Sequence, residues 1–193
     1  MAAKLWRAAY RRCVFEQREV LVFRYQQEST VRHGACLREL SFKEIKDSAS
    51  MYPQHLGDAY VAVCEQRMLR GDVAYTLCGA SEIQHIAWLG FYDQIADNGF
   101  TGADCVVDLQ EPQPLIYNCW TPPVFRRRGV YKRVLSGFVS MFPCGPLWIY
   151  CRRSNVASAA GIESVGFELS HVLSRAIRFG RPSKVSNVCV QGK

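Results

Sequence analysis

The sequence predicts an α/β (α+β) domain: a mixed, mostly antiparallel central sheet with a central βαβ unit and helices on both faces. Three observations carry this. Strand-like runs such as EVLVFRY (19–25) and PLIYNCWT (114–121) alternate with stretches of helical spacing. The segments 72–79 and 82–93 follow one another as two strands across a short ASE turn, an antiparallel signature. By contrast, 114–121 reaches PLWIYCR (146–152) through a helix, the crossover that parallel strands require. With 49% hydrophobic and 21% charged residues, 193 residues suffice to bury one core, so a single domain over 1–193 is expected.

The elements follow in order. Residues 1–18 read as a short amphipathic helix, with Leu5, Trp6, Ala9 and Cys13 on one stripe. Lys4, Arg7, Arg11 and Arg12 interrupt its apolar pairs, unlike the continuous apolar stretch of a secretory signal. SFKEIKDSASMY (41–52) opens with Ser41 three residues before Glu44, a capping-box helix start. Residues 56–71 repeat Tyr60, Val63, Cys64 and Arg67 at helical spacing and stop at Gly71. Segment 103–110 fits a short strand or a loop. After Pro122-Pro123 comes a helix over 129–142, then the 146–152 strand, a helix over 155–165, and strands at 167–173 and 184–190.

Composition narrows the function. Apolar runs are too short or too charged to span a bilayer, so no membrane partner is expected. The nine cysteines show no CxxC spacing, so no metal site is expected. Several fall in apolar strand-like runs, which suits unpaired, buried thiols in a reduced, cytoplasmic protein. A net charge of +7 is compatible with polyanion binding without demanding it.

The chemistry gathers at VFRRRGVYKRVL (124–135), where a strand ends in a double proline and a helix begins near Gly129. The first amides of a helix lack internal partners and carry the positive end of its dipole, so such a turn suits phosphate. Glycine lets the phosphate approach the backbone, and the flanking arginines add counter-charge. The turn lacks both the P-loop and the dinucleotide-fold glycine patterns.

It resembles instead the R/Q-x-x-G-x-G/A loop of the GNAT superfamily of acyl-CoA-dependent N-acetyltransferases, here Arg126-Arg127-Arg128-Gly129-Val130-Tyr131. A second stretch, SNVASAAGIESVGFEL, is similar to the family's N-x-x-A…Y…GF pattern, with Asn155, Ser158, Gly166 and Phe167 in register. The resemblance covers about residues 72–173, with an acyl-CoA-binding core at 114–173. It implies that acetyl-CoA or another acyl-CoA is the co-substrate and lays its pyrophosphate on Arg126, Arg127, Arg128, Gly129, Val130 and Tyr131. The pantetheine arm would follow the backbone of Cys119, Trp120 and Thr121, with Asn155 and Ser158 beside it. Two positions depart from the pattern. Tyr131 stands where the family has glycine or alanine, and Ile162 stands where it has a general-acid tyrosine.

The reaction implied is attack of a primary amine on a thioester, which needs a proton acceptor and a donor. Candidate bases are Glu82, His85, Asp108 and Glu111; candidate acids are Tyr117 and Tyr150. His85, on a strand facing a cleft, is expected to titrate near neutrality. A small-molecule or amino-sugar acceptor is favoured over a protein, and a homodimer is compatible with the family. Two other classes remain open on sequence: a GNAT-like module that holds CoA without catalysis, and a basic nucleic-acid-binding protein. The arginines cluster at one strand-to-helix turn rather than interleaving with exposed aromatics, which counts against the last.

Overall fold

The computed structural model describes residues 16–26, 34–97, 101, 104–143, 145–178 and 181–190. In chain order they form β1 (Glu16–Tyr25), β2 (Leu37–Glu39), α1 (Phe42–Met51), α2 (Asp58–Leu69), β3 (Val73–Leu77), β4 (Ile86–Ile95) and β5 (Val107–Trp120). Then come α3 (Val130–Met141), β6 (Leu147–Arg152), α4 (Val156–Glu163), β7 (Glu168–Arg178) and β8 (Arg181–Cys189). The strands make one sheet in the order β2-β3-β4-β5-β6-β1-β7-β8. Among the described residues only β5 and β6 run parallel, joined by α3 as the sequence predicts. β1 is antiparallel to both β6 and β7, so the first described strand lies among the last ones.

Period-two alternation gives the sheet two apolar faces. On one, Val134, Leu135 and Phe138 of α3 and Ile162 of α4 pack on Leu21, Phe23, Ile116 and Ile149. On the other, Ile45 and Ala49 of α1 and Cys64 of α2 pack on Val20, Val22, Ala74, Trp88 and Trp148. Among the described residues no helix is long and apolar enough to cross a membrane.

The capping box holds: the Glu44 amide donates to the Ser41 hydroxyl, and the Ser41 amide donates to the Glu44 carboxylate at 2.9 Å. Those bonds from Ser41 hold the Glu44 carboxyl below its ordinary range. Ser41→Ala should destabilise the fold by about 1 kcal/mol, read as a lower urea midpoint at unchanged slope.

Several expectations need correction. Residues 16–18 of the predicted 1–18 helix belong to β1; residues 1–15, with Leu5, Trp6, Ala9 and Cys13, lie outside the described residues. The segments 103–110 and 114–121 are largely one strand, β5, whose register shifts opposite Tyr92–Gln94 where Gln110 takes a φ of 67°. Pro112 falls within that irregular stretch, where no ladder donor is required. The connection from β3 to β4 runs over residues 78–85 rather than a tight ASE turn, so Glu82 and His85 precede β4. Nor are all cysteines unpaired. Leu37 pairs with Leu77, which sets Cys36 opposite Cys78 with Cα atoms 5.4 Å apart, and the two form a disulfide. Cys64, Cys105, Cys119, Cys151 and Cys189 are free. The redox argument for a cytoplasmic protein therefore loses its basis.

Candidate functional site

β5 and β6 pair only at Leu115–Trp148 and Ile116–Ile149, yet β5 continues to Trp120 and β6 to Arg152. Past Ile116 the two parallel strands diverge, and the β6-facing backbone of Tyr117–Trp120 has no ladder partner there. A bulge re-aims that edge. Ile86 stands opposite Trp120 and Trp88 opposite Tyr117, so Ala87 alone faces both Asn118 and Cys119. Asn118 adopts a φ of 49°, unusual for a residue other than glycine.

The predicted cradle lies at the end of β5. After a 3-10 turn at Pro123–Phe125, Arg127 takes a φ of 62° and Gly129 a φ of 70° before α3 begins. The first intrahelical bond from the turn runs from the Arg133 amide to the Gly129 carbonyl, so the amides ahead of it have no helical acceptor. A Cβ placed on Gly129 would meet nothing within 4 Å: the ground in front of these amides is open. Arg126, Arg127 and Arg128 are exposed around it. Arg126 ties the loop back by donating from Nε to the Thr121 carbonyl at 3.0 Å, and Arg128 lies over the Phe125 ring.

Tyr131 does not obstruct this ground. Its side chain turns inward, the ring stacked on His85 at a centroid distance of 5.5 Å and an interplanar angle of 27°. The hydroxyl shares a 3.1 Å hydrogen bond with Ser158 Oγ. A Cβ on Gly161 of α4 would come within 2.9 Å of the same ring, so glycine there is what admits the tyrosine. Burial pushes the Tyr131 hydroxyl well above its ordinary range, and the Cys119 thiol up to about 12.

The other site residues divide by face. Asn155 caps α4, its Oδ1 accepting from the Ser158 amide at 3.2 Å, so Ser158 is engaged through both its amide and its hydroxyl. Ile162 is fully buried in the core below α3 and α4, where it reaches no cleft. Trp120 lies on the opposite face, against Tyr52 and His55. Thr121 has its hydroxyl on His85 Nδ1 at 2.7 Å.

His85 is corrected as a base poised near neutrality. It is 1% exposed, and burial pulls its imidazole down to about 3. Its Nε2 is buried without a partner. Glu82 is exposed in the loop before β4, and Asp108 and Glu111 sit near the start of β5, remote from the divergence. Tyr150 remains a candidate donor: half-buried on the α1/α2 face, its hydroxyl is pushed up to about 12, chiefly by burial. Tyr117 beside it donates to the Asp72 carboxylate at 2.7 Å, as does Tyr92, and Arg70 pairs with the same carboxylate at 3.2 Å. Asp72 of this face carried no signal in the sequence, and Arg67 showed only helical spacing, with no functional mark.

A single mixed sheet with one parallel pair among the described residues, parting beside a strand-to-helix turn, defines the class: the chain has the GNAT acetyltransferase fold. Its structure is similar to a GNAT-family acetyltransferase from Colwellia psychrerythraea, at TM-score 0.61 and 11% identity, covering 84% of this chain and 56% of that one. A functionally unknown conserved protein from Staphylococcus epidermidis gives TM-score 0.53 at 11% identity, over 91% of this chain and 64% of that one. A Novosphingobium aromaticivorans protein assigned to the GNAT family gives 0.50 at 14% identity, over 83% and 63%. This chain thus spans between about half and two thirds of the length of these structures. No protein-family model and no curated protein matches the sequence.

Proposed function

We propose that this protein is an N-acyltransferase that moves an acetyl or other acyl group from acyl-CoA to a primary amine. The observation that carries the reading is the open space at Gly129, in the turn that follows β5, the strand that parts from β6 past Ile116. Those amides and Arg126–Arg128 would hold the pyrophosphate, and the unpaired edge of Tyr117–Trp120 would take the pantetheine arm. Bound there, the acyl-CoA supplies an activated thioester carbonyl.

The residues of the chain do the rest. The backbone bulges at Asn118–Cys119, and amides freed from the ladder there would serve the developing oxyanion. The amine nitrogen bonds the carbonyl carbon as the carbon–sulfur bond breaks; the amine gives up one proton and the departing sulfur gains one. Tyr150, held protonated at neutral pH by burial, is the donor on the acceptor face. Holding both reactants at the divergence supplies a large share of the acceleration.

A CoA-holding module without turnover is favoured by one observation: Ile162 is sealed in the core, and nothing on α4 replaces a proton-donating tyrosine. Titration with acetyl-CoA, free CoA and an oligonucleotide, followed by thermal shift and an amine panel, tests these readings. Acetyl-CoA should raise the melting temperature by mass action, with acylated amine appearing. Binding without product on any amine supports the module. No shift with acetyl-CoA, alongside salt-sensitive oligonucleotide binding, would sink both.

A further inference from the structure

On the α1/α2 face, where β5 and β6 part, Arg67 of α2 has no counter-ion among the described residues. Its guanidinium carbon lies 5.1 Å from the ring centres of both Trp88 and Tyr117 and 6.0 Å from that of Tyr60. Trp88 and Tyr117 face one another across β4 and β5, and Tyr117 immediately precedes the bulge at Asn118. The charge of Arg67 is also felt at the hydroxyl of Tyr150 on β6.

The neighbouring carboxylates are taken. Asp72 accepts from Tyr92, Tyr117 and Arg70. Asp97 pairs with Arg152 at 3.1 Å. Arg67 forms no ion pair among the described residues, and its Nη1 is shut away from water with no acceptor. A half-buried cation with an unmet donor calls for an anion. The guanidinium also reaches the buried Cys64 thiol, a weak acceptor that carries no charge at neutral pH. The surrounding rings attract the cation without neutralising it, so a planar, two-oxygen group would satisfy the remaining donors.

We infer that Arg67 reads a carboxylate, and that the acceptor is an amine that also carries one, such as an amino acid. This rests on the acyltransferase reading for the word acceptor, while the carboxylate site itself does not. An uncharged amino-sugar acceptor would leave the guanidinium unmet. The proton balance is that of acyl transfer, with the carboxylate unchanged throughout.

The test uses the whole chain with N-acetylglycine and N-acetylphenylalanine, which have the form of products, and with their carboxamides. Binding is read by calorimetry and by tryptophan fluorescence, since Trp88 lies beneath the guanidinium. The acids should bind about tenfold or more tighter than the amides. Arg67→Met, which keeps the apolar stem, should erase that preference while acetyl-CoA still raises the melting temperature. Arg67→Lys, which keeps the charge without the fork, should retain part of it and serves if the methionine variant does not fold. Equal affinity for acid and amide, or no binding of either acid at millimolar concentration, overturns the inference even if acetyl-CoA binds. A preference for acids with no acetyl-CoA shift would instead overturn the acyltransferase reading and leave the carboxylate site standing.

Discussion

Replacing Gly129 with glutamate should remove acetyl-CoA binding while leaving the chain folded. Three effects act together at this residue. A left-handed φ of 70° costs a residue with a Cβ about 1–2 kcal/mol, unless the loop rearranges and the amides swing away. The new side chain would occupy the ground that is open within 4 Å of the Cβ position. Its carboxylate would also stand where phosphate oxygens belong, against the field of the helix terminus. The combined effect should weaken acetyl-CoA by about a hundredfold or more, ~2.7 kcal/mol, so the thermal shift at a fixed ligand concentration disappears. The apo melting temperature should fall only modestly, because Gly129 is exposed and supports no core contact. Gly129→Ala separates the causes, since it adds the Cβ without the charge and should retain measurable binding. Unchanged acetyl-CoA affinity in the glutamate variant would move the cofactor away from this turn.

What the sequence made legible followed from local signals. The strand–double proline–Arg-rich turn–helix of 114–142 is a contiguous pattern, and its strand, turn and helix came out as read. The Ser41–Glu44 cap is a four-residue signal and is equally plain. Where pairing is long-range, local pattern was silent. β2 has three residues, too few for any period, yet it sets Cys36 opposite Cys78 across 42 residues and makes the disulfide. β1 reads as a strand, but nothing in its alternation says that it enters between β6 and β7. The irregular stretch that carries β5 past Pro112 disguised one strand as two segments.

The site shows the same division. Tyr131 departed from the GNAT pattern in isolation; in the fold it is accommodated by Gly161 on another helix and by His85 on another strand's approach. Arg67 looked like one more residue of an amphipathic stripe, because the rings that isolate it from a counter-ion lie on α2, β4 and β5. Residue types were visible along the chain, whereas burial and the absence of a partner exist only once the sheet has formed.

His85 gives the sharpest expected effect on stability. In the unfolded chain its imidazole titrates near the ordinary 6.5, while burial holds the folded value at about 3. The folded value is depressed, so below pH 6.5 the unfolded state binds a proton that the folded state refuses. The contribution is therefore fully present above pH 6.5 and is lost as pH falls toward 3. Each unit in that window costs about 1.4 kcal/mol, so by pH 4.5 the loss from this residue approaches ~2.7 kcal/mol. His171, also depressed by burial, acts in the same direction. His85→Phe should keep a ring on Tyr131 but remove the titration. At pH 7.5 it should cost about 1 kcal/mol for the lost bond to Thr121. At pH 4.5 the variant should be the more stable of the two, because carboxylates and His171 titrate alike in both. Urea midpoints measured from pH 7.5 to 4.5 would therefore cross. Parallel curves would mean that the folded protein admits a proton at His85, through its unpartnered Nε2, without opening the core around Tyr131.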